Sequence, residues 1–149
     1  MSKHEEATLV LKLYELRRDE TMRKARNWFT VEFNPESMAD MNSAMFSQNS
    51  GYLRMVMSYW DMAAALVNHG AISLDLFNDT NGEYLGVYAK IEPFLSEARA
   101  AFGPQFMANL EKVVDATPGG QERLTMFRER WKGVRAQIEA MQARAAEKR

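Results

Sequence analysis

The stretch QERLTMFRERWKGVRAQIEAMQARAAE, residues 121–147, decides the fold of this chain. Its apolar side chains are spaced alternately by three and four residues, which is the a and d pattern of a heptad seam on one α-helix. A helix with such a seam buries it, either against the rest of its own chain or against a second chain. The seam consists of Leu124, Phe127, Trp131, Val134, Ile138, Met141 and Ala145.

The remainder of the sequence is also patterned as helices, because glycine and proline stand mainly between periodic segments. Residues 4 to about 33 predict one long N-terminal helix. Residues 51–68 predict the most apolar helix, and residues 83–102 predict a further helix with a kink at Pro93. No segment shows the alternation with period two that is typical of a β-strand.

These segments predict an all-α fold. We expect a single-domain bundle of five or six helices over residues 1–149, with a long N-terminal helix and the long heptad-patterned C-terminal helix. At this length one chain can bury one sizeable core. Residues 1–3 and about 146–149 are expected to fray.

Composition and charge exclude several classes of protein. With 19 basic and 20 acidic residues the net charge is −1, which provides no overall field to attract nucleic acid or anionic lipid. The chain has no cysteine, so disulfides, zinc–thiolate sites and thiol nucleophiles are excluded. No apolar run approaches the roughly 20 residues of a membrane span, and the polar first residues are unlike a signal peptide. We therefore expect a soluble, cytoplasmic protein without a membrane span.

Charge is unevenly distributed along the chain. The net charge of residues 36–116 is −6, whereas that of residues 117–149 is +4. In the last helix, acidic side chains interleave with the basic ones, which is typical of a solvated helix face, and we expect no nucleic-acid binding. The acidic middle and the basic C-terminal helix attract each other within a chain or between chains.

The apolar helix 51–68 carries one line of polar side chains, and Asp61 lies on it. We expect Asp61 to be substantially buried and paired with Arg18 or Arg26 of the first helix. The alternative interpretation is that this line is the solvent face of the helix. If the protein binds a small molecule, the expected lining residues are Tyr59, Trp60, Asp61 and Tyr88, with Arg18 or Arg26 nearby.

About a third of the chain follows a pattern of three parts: an apolar helix ending in a glycine turn, a short turn rich in aspartate and leucine, and an aromatic-bearing helix that reaches an arginine. The pattern runs through YWDMAA (59–64), NHGAISLDLF (68–77) and IEPFL (91–95) to Arg99. It resembles a group of uncharacterised bacterial helical proteins catalogued as a domain of unknown function, some of which look membrane-tethered. The resemblance implies an all-helical fold and defines no catalytic residues. The chain departs from the tethered members because it lacks a membrane helix.

Catalytic and metal-binding signatures are not evident. His69 has no Gly-x-Ser-x-Gly frame to serve as a base, and the His-Glu-x-x-His spacing of zinc enzymes does not occur. The turn at residues 78–82 lacks the first carboxylate and the bidentate glutamate of a calcium loop. We therefore expect no catalytic residues, no cofactor and no metal, and we regard an enzyme as the less favoured class.

Our hypothesis is a non-enzymatic helical protein that acts through protein–protein contacts, as a homodimer or with another protein partner. The preceding helices are too short to cover a C-terminal helix of about 27 residues, roughly 40 Å long. Residues 124–134 should pack on their own bundle, while a second subunit should cover Ile138, Met141 and Ala145. The alternative is a small-molecule-binding, sensor-like bundle with its pocket near the four residues named above.

Overall fold

The computed structural model describes residues 2–149, and these residues form an all-α structure without strands. Nine α-helices and a 3-10 turn at Glu92–Phe94 follow one another in this part of the chain. The helices are α1 (Lys3–Arg17), α2 (Glu20–Val31), α3 (Met38–Met45), α4 (Ser50–Asn68), α5 (Leu74–Thr80), α6 (Glu83–Ile91), α7 (Leu95–Phe102), α8 (Ala108–Ala116) and α9 (Gly120–Glu147).

The all-α prediction is confirmed, but the predicted count of five or six helices is wrong. The predicted N-terminal helix over residues 4–33 is two helices, because Asp19 interrupts it and caps α2 by accepting a hydrogen bond from the backbone nitrogen of Met22 at 3.1 Å. The break separates the two apolar faces, so that Leu13 on α1 and Met22, Ala25 and Phe29 on α2 all reach the core.

Two further differences lie in the second half of the chain. The predicted helix over residues 83–102 is divided at the 3-10 turn containing Pro93, where a kink was expected. Proline is favoured at the first position of a helix, but Pro104 does not start one. A turn continues to Met107, whose φ of 56° is left-handed, and α8 begins only at Ala108.

Local sequence signals account for three of the helix ends. Ser37 and Ser73 each accept a backbone hydrogen bond at the start of α3 and α5. Gly70 follows α4 with a φ of +81°, the left-handed conformation expected just after a helix C-terminus. The predicted fraying of residues 1–3 falls partly on Met1, which lies outside the described residues.

Helix α4 forms the centre of the core and packs against α2 on one side and α8 on another. Its buried side chains include Leu53, Val56 and Trp60. Helix α6 packs against α9, which is therefore held on the outside of the bundle by its first half. Among residues 2–149 no helix combines the length and apolar character needed to cross a lipid bilayer.

Candidate functional site

Asp61 caps a helix. It is half-buried on α4, and its carboxylate accepts hydrogen bonds from the backbone nitrogen of Leu110 at 2.9 Å and from the side-chain amide of Asn109 at 3.4 Å. Both donors lie in the first turn of α8, where backbone N–H groups lack partners within the helix and the helix dipole favours a negative charge. No arginine of the described chain is within ion-pair distance of Asp61. The predicted pairing with Arg18 or Arg26 is therefore wrong.

The arginine that reaches the central aromatic side chains is Arg17, which the sequence patterns did not single out. Its guanidinium donates hydrogen bonds to the Tyr59 hydroxyl at 3.3 Å and to the side-chain oxygen of Asn81 at 2.7 Å. It also lies 5.3 Å from the ring centre of Trp60. Tyr59 and Trp60 are both buried, and burial raises the pKa of the Tyr59 hydroxyl. These contacts of Arg17 hold α1 against the bundle.

The other predicted ligand residues have separate partners. Arg26 forms an ion pair with Glu83 at 2.9 Å, and the Arg18 guanidinium lies 6.0 Å from the Tyr14 ring centre. The buried Tyr88 donates a hydrogen bond to Glu111 at 3.4 Å, and burial followed by the charge on Glu111 raises the pKa of its hydroxyl.

The structure therefore distributes the predicted pocket residues over several places. Tyr59 and Trp60 face α1, Asp61 faces α8, and Tyr88 faces an ion pair between Arg99 and Glu111. The cavities at the α9 contact described next are lined by none of these four residues.

Lys90 on α6 is a half-buried cation that the sequence patterns did not single out. Its ammonium group donates hydrogen bonds to the backbone oxygens of Phe29 at 2.6 Å, Thr30 at 3.0 Å and Phe33 at 2.8 Å. Phe29 and Thr30 belong to the last turn of α2, whose carbonyls lack partners within the helix. Lys90 thus caps the negative end of α2 and ties α6 to it. A single lysine in the apolar segment 84–91 is the sequence signal for this role.

Helix α9 covers Lys90. The Lys90 nitrogen lies 4.0 Å from the ring centre of Trp131, which packs over it from the α9 side. Burial lowers the pKa of Lys90 to about 7, and the nearby charge of Arg135 acts in the same direction. The three carbonyl acceptors and the Trp131 ring act in the opposite direction by favouring the ammonium form.

A close approach of α6 and α9 accompanies this contact. A Cβ atom at Gly86 would lie only 3.2 Å from the Phe127 ring, so the absence of a side chain at Gly86 makes room for the ring. Two cavities open beside Trp131, one of about 240 Å³ against Gly86 and Phe127 and one of about 460 Å³ beside Pro93 and Phe94.

Ion pairs flank the covered part of the seam. Arg128 donates to the Glu92 carboxylate at 2.8 Å and to the backbone oxygen of Ala89 at 3.1 Å. One heptad further on, Arg135 contacts the Glu36 carboxylate at 3.3 Å. The docked half of α9 therefore combines a central apolar contact with arginine–glutamate pairs at its side.

Burial along the seam changes near Val134. Leu124 is completely buried, and Phe127 and Trp131 are half-buried against the bundle. Val134 is 36% exposed and Met141 is 65% exposed. Ile138 is half-exposed and Ala145 is exposed. Leu124, Phe127 and Trp131 thus pack on the bundle as predicted, whereas Val134, which was also expected to pack there, is exposed. Coverage of the last part of the seam by a second subunit stays a prediction.

The geometry defines an all-helical domain to which a long, half-docked C-terminal helix is attached. The chain belongs to the family described as Domain of unknown function (DUF4760), whose model matches residues 4–117. This result confirms the resemblance recognised from the sequence. The match ends just before the Pro118-Gly119 turn, so α9 lies outside the matched residues. No curated protein and no solved structure matches the chain.

Proposed function

We propose that this protein acts through protein–protein contacts, without catalysis, and that it forms a homodimer through the projecting stripe. The projecting stripe comprises Val134, Ile138, Met141 and Ala145, the part of the seam that the bundle leaves uncovered. The observation that carries the proposal is that one continuous seam is buried at Leu124 and exposed at Met141.

The free energy gained by burying the projecting stripe favours its coverage by a second subunit. Full burial of an isoleucine or methionine side chain contributes about 1.5–3 kcal/mol, and a two-fold dimer buries two such stripes. An isolated helical segment of about ten residues is only marginally stable in water, so the end of α9 gains order from a partner. A cytoplasmic location belongs to the same proposal and is supported by the absence of cysteine, which disulfide-rich secreted domains use.

Light scattering on the full chain at several concentrations tests the proposal. The native protein should reach twice the monomer mass of 17.1 kDa, and the double substitution Ile138→Lys/Met141→Lys should return it to the monomer. The control Ala140→Lys/Ala143→Lys adds the same charge to the opposite, exposed side of α9 and should remain dimeric. A native monomer at all concentrations, or a dimer that survives the stripe substitutions, contradicts the proposal.

As a second candidate function we propose binding of a small anionic aromatic molecule beside Trp131. The support is the cavity of about 460 Å³, a volume within the usual range for ligand sites. Its lining combines aromatic side chains with four cations and one carboxylate, Glu129, which lies 3.5 Å from Lys132. The aromatic and cationic lining residues are Phe94, Trp131, Lys90, Arg128, Lys132 and Arg135.

Titration with an aromatic sulfonate dye tests this candidate. Saturable one-to-one binding should be lost in Lys132→Glu/Arg135→Glu and retained in Arg23→Glu/Arg54→Glu, with circular dichroism confirming that both variants are folded. If the native protein shows no saturable binding of the dye, this second candidate function is wrong.

A further inference from the structure

The positions that flank the seam of α9 carry only basic or neutral side chains. If the seam residues occupy positions a and d, the neighbouring e and g positions within α9 hold five arginines and two glutamines, and Arg149 continues the pattern just past the end of the helix. All four glutamates of α9 lie at the outer positions b, c and f. The flanking residues are Arg123, Arg128, Arg130, Arg135, Gln137, Gln142, Arg144 and Arg149.

This arrangement disfavours pairing of α9 with the same helix of a second copy. In a parallel pair, position g of one helix faces position e of the next heptad on the other, which places Arg144 near Arg149, two residues past the end of α9. In an antiparallel pair, g faces g and e faces e, so that arginines again meet arginines. Like charges opposite one another weaken such a contact.

In the docked half of α9, the flanking arginines pair with glutamates of the bundle. Where the bundle covers the seam, Arg128 meets Glu92 and Arg135 meets Glu36. The projecting stripe continues the same pattern, with Arg144 and Arg149 at its sides. By charge complementarity, the surface that covers the projecting stripe should be apolar and should carry carboxylates at its sides.

The bundle carries exposed carboxylates on two elements that precede α9, and we call them the acidic face: Asp75 and Asp79 of α5 and Asp115 at the end of α8. All three aspartates are exposed, and none has an ion-pair partner among residues 2–149. Asp75 and Asp79 are four residues apart and so lie on one side of α5. A hydrogen bond of 3.2 Å between Asn78 and Thr117 joins α5 to the end of α8. Leu76, half-exposed on α5, adds apolar surface.

The acidic face and the projecting stripe belong to opposite ends of α9. Thr117, which anchors the acidic face, precedes the first residue of α9 by three positions, whereas the stripe lies in its last turns. Helix α9 has 28 residues and is about 42 Å long. In an antiparallel two-fold dimer, the end of each α9 reaches the start of the other copy's α9, where that copy's acidic face lies.

We propose that the projecting stripe docks on the acidic face of a second copy, reciprocally, with Arg144 and Arg149 facing Asp75 and Asp79. This inference rests on the proposed homodimer and specifies which surface of the second copy covers the stripe. It accounts for the separation of charge between residues 36–116 and residues 117–149.

Charge reversal tests the docking by sedimentation equilibrium on full-length chains. Arg144→Glu/Arg149→Glu and Asp75→Lys/Asp79→Lys should each weaken the dimer about ten-fold or more, and higher salt should weaken the native dimer. An equimolar mixture of the two variants should recover native affinity, because each reversed stripe then meets a reversed face. The control Arg23→Glu/Arg54→Glu makes the same change in net charge as Arg144→Glu/Arg149→Glu, on exposed positions of the bundle, and should leave the dimer intact.

The possible outcomes separate this inference from the proposed function. A dimer that is insensitive to Asp75→Lys/Asp79→Lys overturns the docking and leaves the homodimer standing. Pairing of the two α9 helices would instead make a mixture of native protein and Arg144→Glu/Arg149→Glu tighter than the native dimer, which also overturns the docking. A native protein that remains monomeric overturns both.

Discussion

Replacement of Lys90 by methionine tests how the bundle holds α2, α6 and α9 together. Methionine has a similar length but no charge and no N–H donor, so the backbone oxygens of Phe29, Thr30 and Phe33 lose their shared donor. The other two carbonyls of the last turn of α2 keep their partners, since Trp28 accepts from backbone nitrogens and Val31 from Asn34.

The expected loss in free energy of unfolding follows from these contacts. A buried acceptor left without a donor costs about 1–3 kcal/mol. Three such acceptors would together give a loss in free energy of unfolding well above the net loss that we expect. Removal of the partly desolvated charge recovers part of this cost, because desolvation already lowers the pKa of Lys90 to about 7. We expect Lys90→Met to reduce the free energy of unfolding by about 3 kcal/mol at pH 6, or about 6–12 °C in Tm for a domain of this size.

Urea unfolding followed by circular dichroism measures this change. Lys112→Met is the matched control, because Lys112 is exposed on α8 and has no ion-pair partner in the described structure. The control should alter stability by no more than about 0.5 kcal/mol. Equal stability of the Lys90→Met variant and the native protein would refute the reasoning that Lys90 caps α2.

Three further results are expected. The pKa of Lys90 in the folded protein lies below its ordinary value of 10.5, so the unfolded chain binds more protons than the folded protein between about pH 7 and 10. The free energy of unfolding of the native protein should therefore rise relative to that of Lys90→Met over this range. A difference in urea midpoints that does not change with pH would contradict this expectation. Asp61→Ala should cost about 1 kcal/mol in a denaturation experiment, as for a lost helix cap, whereas a loss of about 3–5 kcal/mol would indicate a buried ion pair. Gly86→Val should push Phe127 away and make α9 more sensitive to limited proteolysis than Gly133→Val, where no atom lies within 4 Å.

The sequence was most informative where a pattern is local and repeated. The helix caps at Ser37 and Ser73 and the left-handed Gly70 follow from short-range backbone rules that need no knowledge of packing. The seam of α9 could be predicted because its spacing extends over several heptads. The break at Asp19 was missed because an aspartate within a helical pattern is also compatible with a solvent-exposed helix position.

The candidate site could be predicted only in part, because its contacts join residues far apart in sequence. Asp61 bonds to Leu110, 49 residues away, and Lys90 bonds to Phe29, 61 residues away. Pairing rules favour an arginine as the partner of a half-buried carboxylate, but the unpartnered N–H groups of a helix start meet the same need. Likewise, the single lysine among apolar neighbours in residues 84–91 indicates a cation that reaches into the core, but it does not identify the three backbone carbonyls that accept from it.

Hydrogen exchange at several protein concentrations tests the central claim, that the end of α9 is covered by a second copy. Amides of residues 138–147 should exchange rapidly in dilute solution, where the projecting segment has no packing partner, and slowly in concentrated solution. Amides of the central helix α4 should be unaffected by concentration and serve as the internal control. Rapid exchange of residues 138–147 at every concentration would contradict the account.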